Sequence, residues 1–210
     1  MYLPAHFNET RTDVLHALMR EHPLATLVAV NDTGLVANHL PMRMSAEPAP
    51  GVLRGHIARA NPLWKEYRSD IEALAIFQGP QTYISPALYP SKKTTGEVVP
   101  TWNYAVVHAR GTMRFIHEAQ WLRDFVSGLT DEHEARRAQP WKISDAPEAY
   151  IEKMLTMIVG FEISLSSLTG KWKLGQNRSV ADRQGLIQGL SNADDADSKA
   201  LANMLSDRET

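Results

Sequence analysis

The run Val99-Pro100-Thr101-Trp102-Asn103-Tyr104-Ala105-Val106-Val107-His108 sets a tryptophan, an amide, a phenol and an imidazole on one segment that reads as a β-strand. Alternate strand residues face opposite ways. Thr101, Asn103 and Ala105 therefore share one face, and Trp102, Tyr104 and Val106 the other. One face offers small and polar groups, the other flat apolar ones. A planar cofactor with polar edges needs both kinds of surface close together. A strand with a purely packing role would more often repeat valine, isoleucine and leucine.

Three further constellations carry possible chemistry. In Gly55-His56-Ile57-Ala58-Arg59-Ala60-Asn61-Pro62 a strand runs into a helix start. The free N–H groups of a helix N-terminus favour an anion, and Arg59 adds a planar donor fork suited to phosphate. A plain strand–helix turn capped by Asn61 accounts for the same residues. The second is Lys171-Trp172-Lys173-Leu174-Gly175-Gln176-Asn177-Arg178-Ser179, between a strand and a helix. Its three cations could grip a phosphate or a carbonyl-rich ring edge, or form a solvated basic turn. Ser179 and Asp182 fit a helix-capping pair. In the third, Gln81 to Tyr89, Tyr83 and Ser85 share one strand face with Ile84 opposite, and either could bond a ligand. Tyr83 could equally fill the core with its hydroxyl on a local partner.

Other chemistries lack their residues. Cysteine is absent, which excludes disulfides, thiolate metal sites and thiol nucleophiles. None of the eight histidines stands at a sharp metal-ligand spacing, so no metal is expected. No G-x-S-x-G elbow anchors a hydrolase triad, and no glycine-rich phosphate loop occurs. No general base stands out; His56 and His108 are candidates that also suit structural roles. The strip Asp131 to Arg137 reads as an exposed helix face of paired charges.

The elements that must position these groups come from 210 residues with 43% hydrophobic content, enough for one fair-sized core. The formal net charge of −2 argues against a broad nucleic-acid surface. No signal peptide or membrane-length apolar run is visible, so a soluble cytoplasmic protein is expected. Helical spacing covers Asn8–Glu21, Glu118–Ala138 and Pro147–Met157, with one or two helices over Ser179–Ser206. Strands are expected over Leu24–Val30, Leu35–Met44, Val52–Ala58, Ile71–Phe77, Val98–His108, Gly111–Ile116 and Val159–Leu168, and Gly79-Pro80 is expected to break the fourth. The fold class this predicts is mainly β with peripheral helices: an antiparallel barrel with helices outside. Residues 1–190 form the main domain and 191–210 a C-terminal helical tail without a readable role.

Several pieces, in order, resemble one family: Met1-Tyr2-Leu3-Pro4-Ala5-His6-Phe7, Pro23 to Val28, Asn38-His39-Leu40-Pro41, Gly55 to Pro62, Ala75 to Pro80, Tyr83-Ile84-Ser85-Pro86, Val99 to Tyr104 and Lys173 to Arg178. Together they are similar to the PaiB family, FMN-binding negative transcriptional regulators, from Met1 to about Leu190. The resemblance implies a split β-barrel of the pyridoxamine-phosphate-oxidase kind, with FMN in a cleft between two subunits of a homodimer. It implies His56, Arg59 and Asn61 on the phosphate and ribityl side, and Asn38 and His39 at the ring edge. Tyr83 and Ser85 would lie on a strand contacting cofactor. Thr101, Trp102, Asn103 and Tyr104 would line the cleft, and Lys173, Gln176, Asn177 and Arg178 would close it. A serine is expected in the family's motif where this chain has Gly175.

The residues alone do not select FMN over pyridoxal phosphate, haem or another flat molecule. Three functions follow: an FMN-binding repressor, an FMN-dependent oxidoreductase of reductase or oxidase type, and a haem-binding or haem-handling barrel. A regulator could act on DNA directly through a local patch such as Arg136, Arg137 and Lys142, or through another partner. No helix-turn-helix is evident, and the net charge does not favour DNA.

Overall fold

Alternation of apolar and polar side chains governs the strands. In the computed structural model, which describes residues 1–208, β2 (Leu24–Asn31) buries Ala25, Leu27, Ala29 and Asn31 and turns their neighbours outward, as a period of two requires. Asn31 closes the following turn, its Oδ1 accepting from the backbone N and hydroxyl of Thr33 at 2.9 and 2.8 Å. The chain returns as β3 (Gly34–Pro41), paired antiparallel from Leu24↔Pro41 to Asn31↔Gly34. The other strands are β1 (Asn8–Glu9), β4 (Arg43–Ser45), β5 (Val52–Ala58), β6 (Ala73–Ile84), β7 (Thr101–Ile116) and β8 (Ile158–Lys173). The sheet runs β3-β2-β6-β7-β8-β5-β4, with β1 paired to β8. The helices are α1 (Thr12–Glu21), α2 (Leu63–Glu66), α3 (Ala119–Glu134), α4 (Glu148–Thr156), α5 (Val180–Ser191) and α6 (Ala196–Ser206).

Several segments differ from the sequence expectation: the strand expected over Leu35–Met44 is divided into β3 and β4, and β8 runs on to Lys173. β6 passes through Gly79 and Pro80 unbroken. Pro80 lies beyond the Leu74–Ile76 stretch that pairs with β2, where a missing N–H takes nothing from that ladder. A side chain at Gly79 would stand 2.8 Å from Leu18 Cδ1, so this glycine marks close packing rather than a turn. The two strands expected around His108 are one, β7, continuous through Gly111. There a Cβ would meet Ser164 O at 2.1 Å, so the glycine serves an approach of two backbones. The first helix begins at Thr12, because Asn8 and Glu9 pair with Lys171 and Gly170 of β8.

The chain divides into two compact units. The first holds Met1–Leu18, Gln78–His108 and the chain from Thr169 onward. Its buried side chains include Leu15, Ile84, Tyr89, Val107, Trp172 and Leu186, together with Leu201 and Leu205 of α6. α6 is tied in place by Ser198, whose hydroxyl meets that of Thr82 at 3.2 Å. The second unit holds Met19–Phe77 and Ala109–Leu168. Its buried side chains include Leu27, Leu53, Ile57, Phe77 and Phe161. A satellite cluster of Leu122, Ile151 and Leu155 joins α3 to α4. Among the described residues, no helix is long and apolar enough to cross a membrane.

Candidate functional site

In the first unit the site is built where β7 begins and β8 ends. Strand alternation turns Asn103 and Ala105 into the core and leaves Trp102 54% exposed. The polar face predicted from the sequence is thus the inner one, and the aromatic face the outer one. Tyr83, on the outer face of β6, is also exposed and meets Trp102 edge to face at 6.2 Å between ring centres. Ile84 beside it is fully buried. Ser85 accepts from the N of Ala87 at 3.2 Å and caps the turn Pro86–Leu88.

Lys173, the last residue of β8, reaches back to β7. Its ammonium donates to Thr101 Oγ1 and, at 2.6 Å, to the carbonyl of Trp102. Lys171 donates to Tyr2 O at 3.1 Å and lies 5.4 Å from the ring centre of Tyr104. Arg178 rests over the Tyr89 ring at 5.0 Å. None of these three cations makes an ion pair among the described residues. Burial lowers the Lys173 pKa, and the charges of Lys171 and Arg178 lower it further. A set of mutually repelling cations is stabilised by an anion placed among them.

The turn after β8 is fixed by Gln176. Its Oε1 accepts from Leu174 N at 2.9 Å, and its Nε2 donates to Trp172 O at 2.6 Å and His6 O at 2.9 Å. Gly175 has φ +89, a conformation that a residue with a Cβ rarely adopts. The backbone therefore accounts for glycine where the family resemblance leads one to expect serine. Ser179 caps α5, accepting from Asp182 N at 3.2 Å. The Asp182 carboxylate holds Ser91 through its N and hydroxyl at 3.0 and 2.8 Å, and these hydrogen bonds hold its pKa down. Asn177 is exposed.

The second unit holds the other predicted residues, and most of their polar atoms have partners within the protein. Asn61 Nδ2 donates to Asn38 Oδ1 at 2.7 Å, while Asn61 Oδ1 accepts from Leu63 N at 3.0 Å and caps α2. His39 Nδ1 meets Thr26 Oγ1 at 3.0 Å. Arg59 donates through Nε to Thr156 O at 2.6 Å and through Nη2 to Ile158 O at 2.9 Å, at the end of α4. His56 packs edge to face on Phe125 at 5.8 Å. Burial lowers its pKa, which favours the neutral ring, and its Nδ1 has no partner.

FMN can be tested against these groups. A phosphorylated planar ligand needs positive charge, flat apolar surface and unsatisfied donors. The first unit supplies Lys171, Lys173 and Arg178, the exposed Trp102–Tyr83 pair, and a buried Asn103 amide nitrogen without a partner. The residues fit. The sequence presents Lys171 as one of three cations able to grip a phosphate, though the family resemblance does not carry it over, and Tyr89 is given no role there. Both lie inside the flagged motifs, so the signal was local. Among the described residues no cluster could hold a metal ion.

Comparison with known proteins gives the family and the fold. A family model described as "Putative FMN-binding domain" matches residues 1–167. The chain is 29% identical to "Protease synthase and sporulation protein PAI 2" of Bacillus subtilis, over 99% of this chain and 98% of that one. It is 32% identical to protein AN0679 of Emericella nidulans, over 99% and 97%. A solved structure, the FAD and heme binding protein from Mycobacterium smegmatis, shares its fold with a TM-score of 0.57 and 17% identity, covering 79% of this chain and 73% of that one. The shared architecture is an antiparallel split barrel. A match over most of the length, on a scaffold whose strand ends gather cations beside flat aromatic rings, leaves one assignment: the chain belongs to the PaiB family of FMN-binding proteins.

Proposed function

We propose that this protein is an FMN-dependent regulator that works as a homodimer and that it holds the flavin against the first unit. The observation that carries the reading is the cation set Lys171, Lys173 and Arg178, which makes no ion pair among the described residues, beside the exposed Trp102–Tyr83 pair. The cations hold an anionic group. Trp102 and Tyr83 offer flat surface on the outer face of the sheet. Gln176 fixes the turn that carries Arg178. Bound flavin supplies reversible electron transfer. On the family resemblance, His56, Arg59, Asn61, Asn38 and His39 would be further contacts, and the cleft would lie between subunits. Exposed aromatic surface also suits a subunit contact. The name of the Bacillus subtilis relative, which refers to protease synthesis and sporulation, supports a regulatory output. An indirect route suits the charge better than DNA contact: in the Arg136, Arg137 and Lys142 patch, Arg137 is already paired with Glu134 at 3.2 Å.

Absorbance and fluorescence titration with FMN tests the site. Saturable binding is expected, about tenfold or more weaker in Lys173→Met, with the variant still folded by circular dichroism. A folded Lys173→Met variant with unchanged affinity removes this residue from the site. Sedimentation with and without FMN checks the dimer, and DNA binding is sought at low salt, where phosphate attraction is greatest. A second reading, an FMN oxidoreductase, is favoured by the same cations, which would stabilise a reduced, anionic ring. Flavin-dependent oxidation of reduced nicotinamide by the loaded protein separates the two.

A further inference from the structure

A separate cleft of about 720 Å³ lies in the second unit, lined by residues from the end of α1, from β4 and from the last turns of α3. This is within the range of small-molecule sites, roughly 300–1,000 Å³. None of the residues assigned above to the flavin lines it.

Its lining carries more basic than acidic side chains. Arg20, His22, Arg43, His133 and Arg136 contribute to it, against the carboxylates Glu21 and Glu132. Glu132 and Arg43 offset one another, because Arg43 binds the carboxylate through Nε at 2.9 Å and Nη2 at 2.6 Å, which leaves Arg20 and Arg136 against Glu21. Arg20 and Arg136 have no ion-pair or hydrogen-bond partner among the described residues. The cleft therefore presents more positive charge than the protein itself balances.

Arg43 is also held in a prepared position. A Cβ at Gly128 would lie 2.3 Å from Arg43 Nη1, so the guanidinium lies across α3 where the helix has no side chain. Glycine inside a helix of 16 residues is a poor choice for helix stability. Here its benefit is a bed for Arg43. The remaining lining is apolar: Met42 is 1% exposed, and Met44 and Leu129 are half-buried. A solvated basic surface would have no need of a buried methionine beneath its charges.

We propose that this cleft binds a small organic anion carrying two or more negative charges, a phosphate ester or a polycarboxylate. Arg20 and Arg136 hold the charged groups, His22 and His133 donate hydrogen bonds, and the carbon frame lies on Met42 and Leu129, beside the Arg43–Glu132 pair. Concave shape and ligand-sized volume favour a small molecule over a duplex. The site stands independently of the flavin, and in a regulator it gives a second chemical input.

Isothermal titration of the FMN-saturated full-length protein at about 50 mM salt, where screening is modest, tests this. The probes are inorganic phosphate, citrate and glucose 6-phosphate, with glucose as neutral control. Citrate or glucose 6-phosphate is expected to bind saturably and more tightly than inorganic phosphate, and whichever binds better identifies the ligand class. Arg20→Glu and Arg136→Glu are each expected to weaken binding about tenfold. Both side chains are exposed, so thermal unfolding and FMN affinity of these variants should not change. No saturable binding of any of the anions overturns the proposal. So does equal binding of glucose, undiminished binding in the Arg20→Glu, Arg136→Glu double variant, or binding of a DNA duplex without binding of the small anions.

Discussion

At Lys173, burial and two neighbouring cations work against the charged form. The unfolded chain holds its proton over a pH range in which the native lysine has lost it, so this residue makes stability rise with pH through that range. An anion bound beside it reverses the effect by favouring the ammonium. FMN affinity should therefore fall as pH rises through the depressed Lys173 pKa, and the Lys173→Met variant should lose that dependence; titrations from pH 7 to 10 check both. Gly175 can be tested in the same way, by a single residue. Serine at φ +89 should lower stability by about 1–3 kcal/mol, read from urea unfolding. Its Cβ would also lie 3.0 Å from Leu186 Cδ2, which adds to the loss. Both residues stood out in the motif. Their physical roles did not, because one depends on charges brought together by folding and the other on a dihedral angle.

At the scale of elements, Arg59 shows how a motif changes meaning once its neighbours are known. The sequence offered it as a phosphate fork. In the fold its Nε and Nη2 donate to the carbonyls of Thr156 and Ile158, where α4 hands the chain to β8. Last-turn carbonyls lack helical partners, and a cation there is favoured. Arg59→Ala should lower stability by about 1 kcal/mol and speed hydrogen exchange at the end of α4. If it also weakens FMN binding, the free Nη1 serves the cofactor as well. Strand boundaries carried the same difficulty. Gly79, Pro80 and Gly111 read as punctuation in a linear sequence, yet each lies inside a long strand; at the two glycines the neighbouring helix or backbone comes close.

For the whole molecule, two buried carboxylates tie distant parts of the chain together. Glu162 joins Arg54 to Arg114, and Glu9 joins Arg11 to Arg208. Burial pushes both pKa values up, but the arginines outweigh it and hold both below the ordinary carboxylate range. Between the folded and unfolded pKa the unfolded chain binds more protons, so the stabilisation is complete above about pH 4.5 and is lost as pH falls through the depressed values. Urea unfolding from pH 7 down to pH 3 should show this loss. The slope should flatten in Glu162→Gln, whose shape is close to that of glutamate. Arg208 lies 199 residues from Glu9, a pairing that no local pattern announces.

Local chemistry written in the chain determined the class of fold, the family and the character of the cofactor. Period-two alternation gives strands wherever one face must be buried, and Ser179 caps its helix because the capping residue and its target are three positions apart. The aromatic and basic residues of a flavin site also lie in short contiguous motifs, so their types could be read directly. Tertiary structure decided which of those groups remain open to a ligand. It turned Asn103 inward, committed Arg59 to the carbonyls of Thr156 and Ile158, and left Lys171, Lys173 and Arg178 without an ion pair among the described residues. It also assembled the basic cleft from residues between Arg20 and Arg136. Those residues are neighbours only in space, and the potential they create comes from proximity, which a sequence does not record.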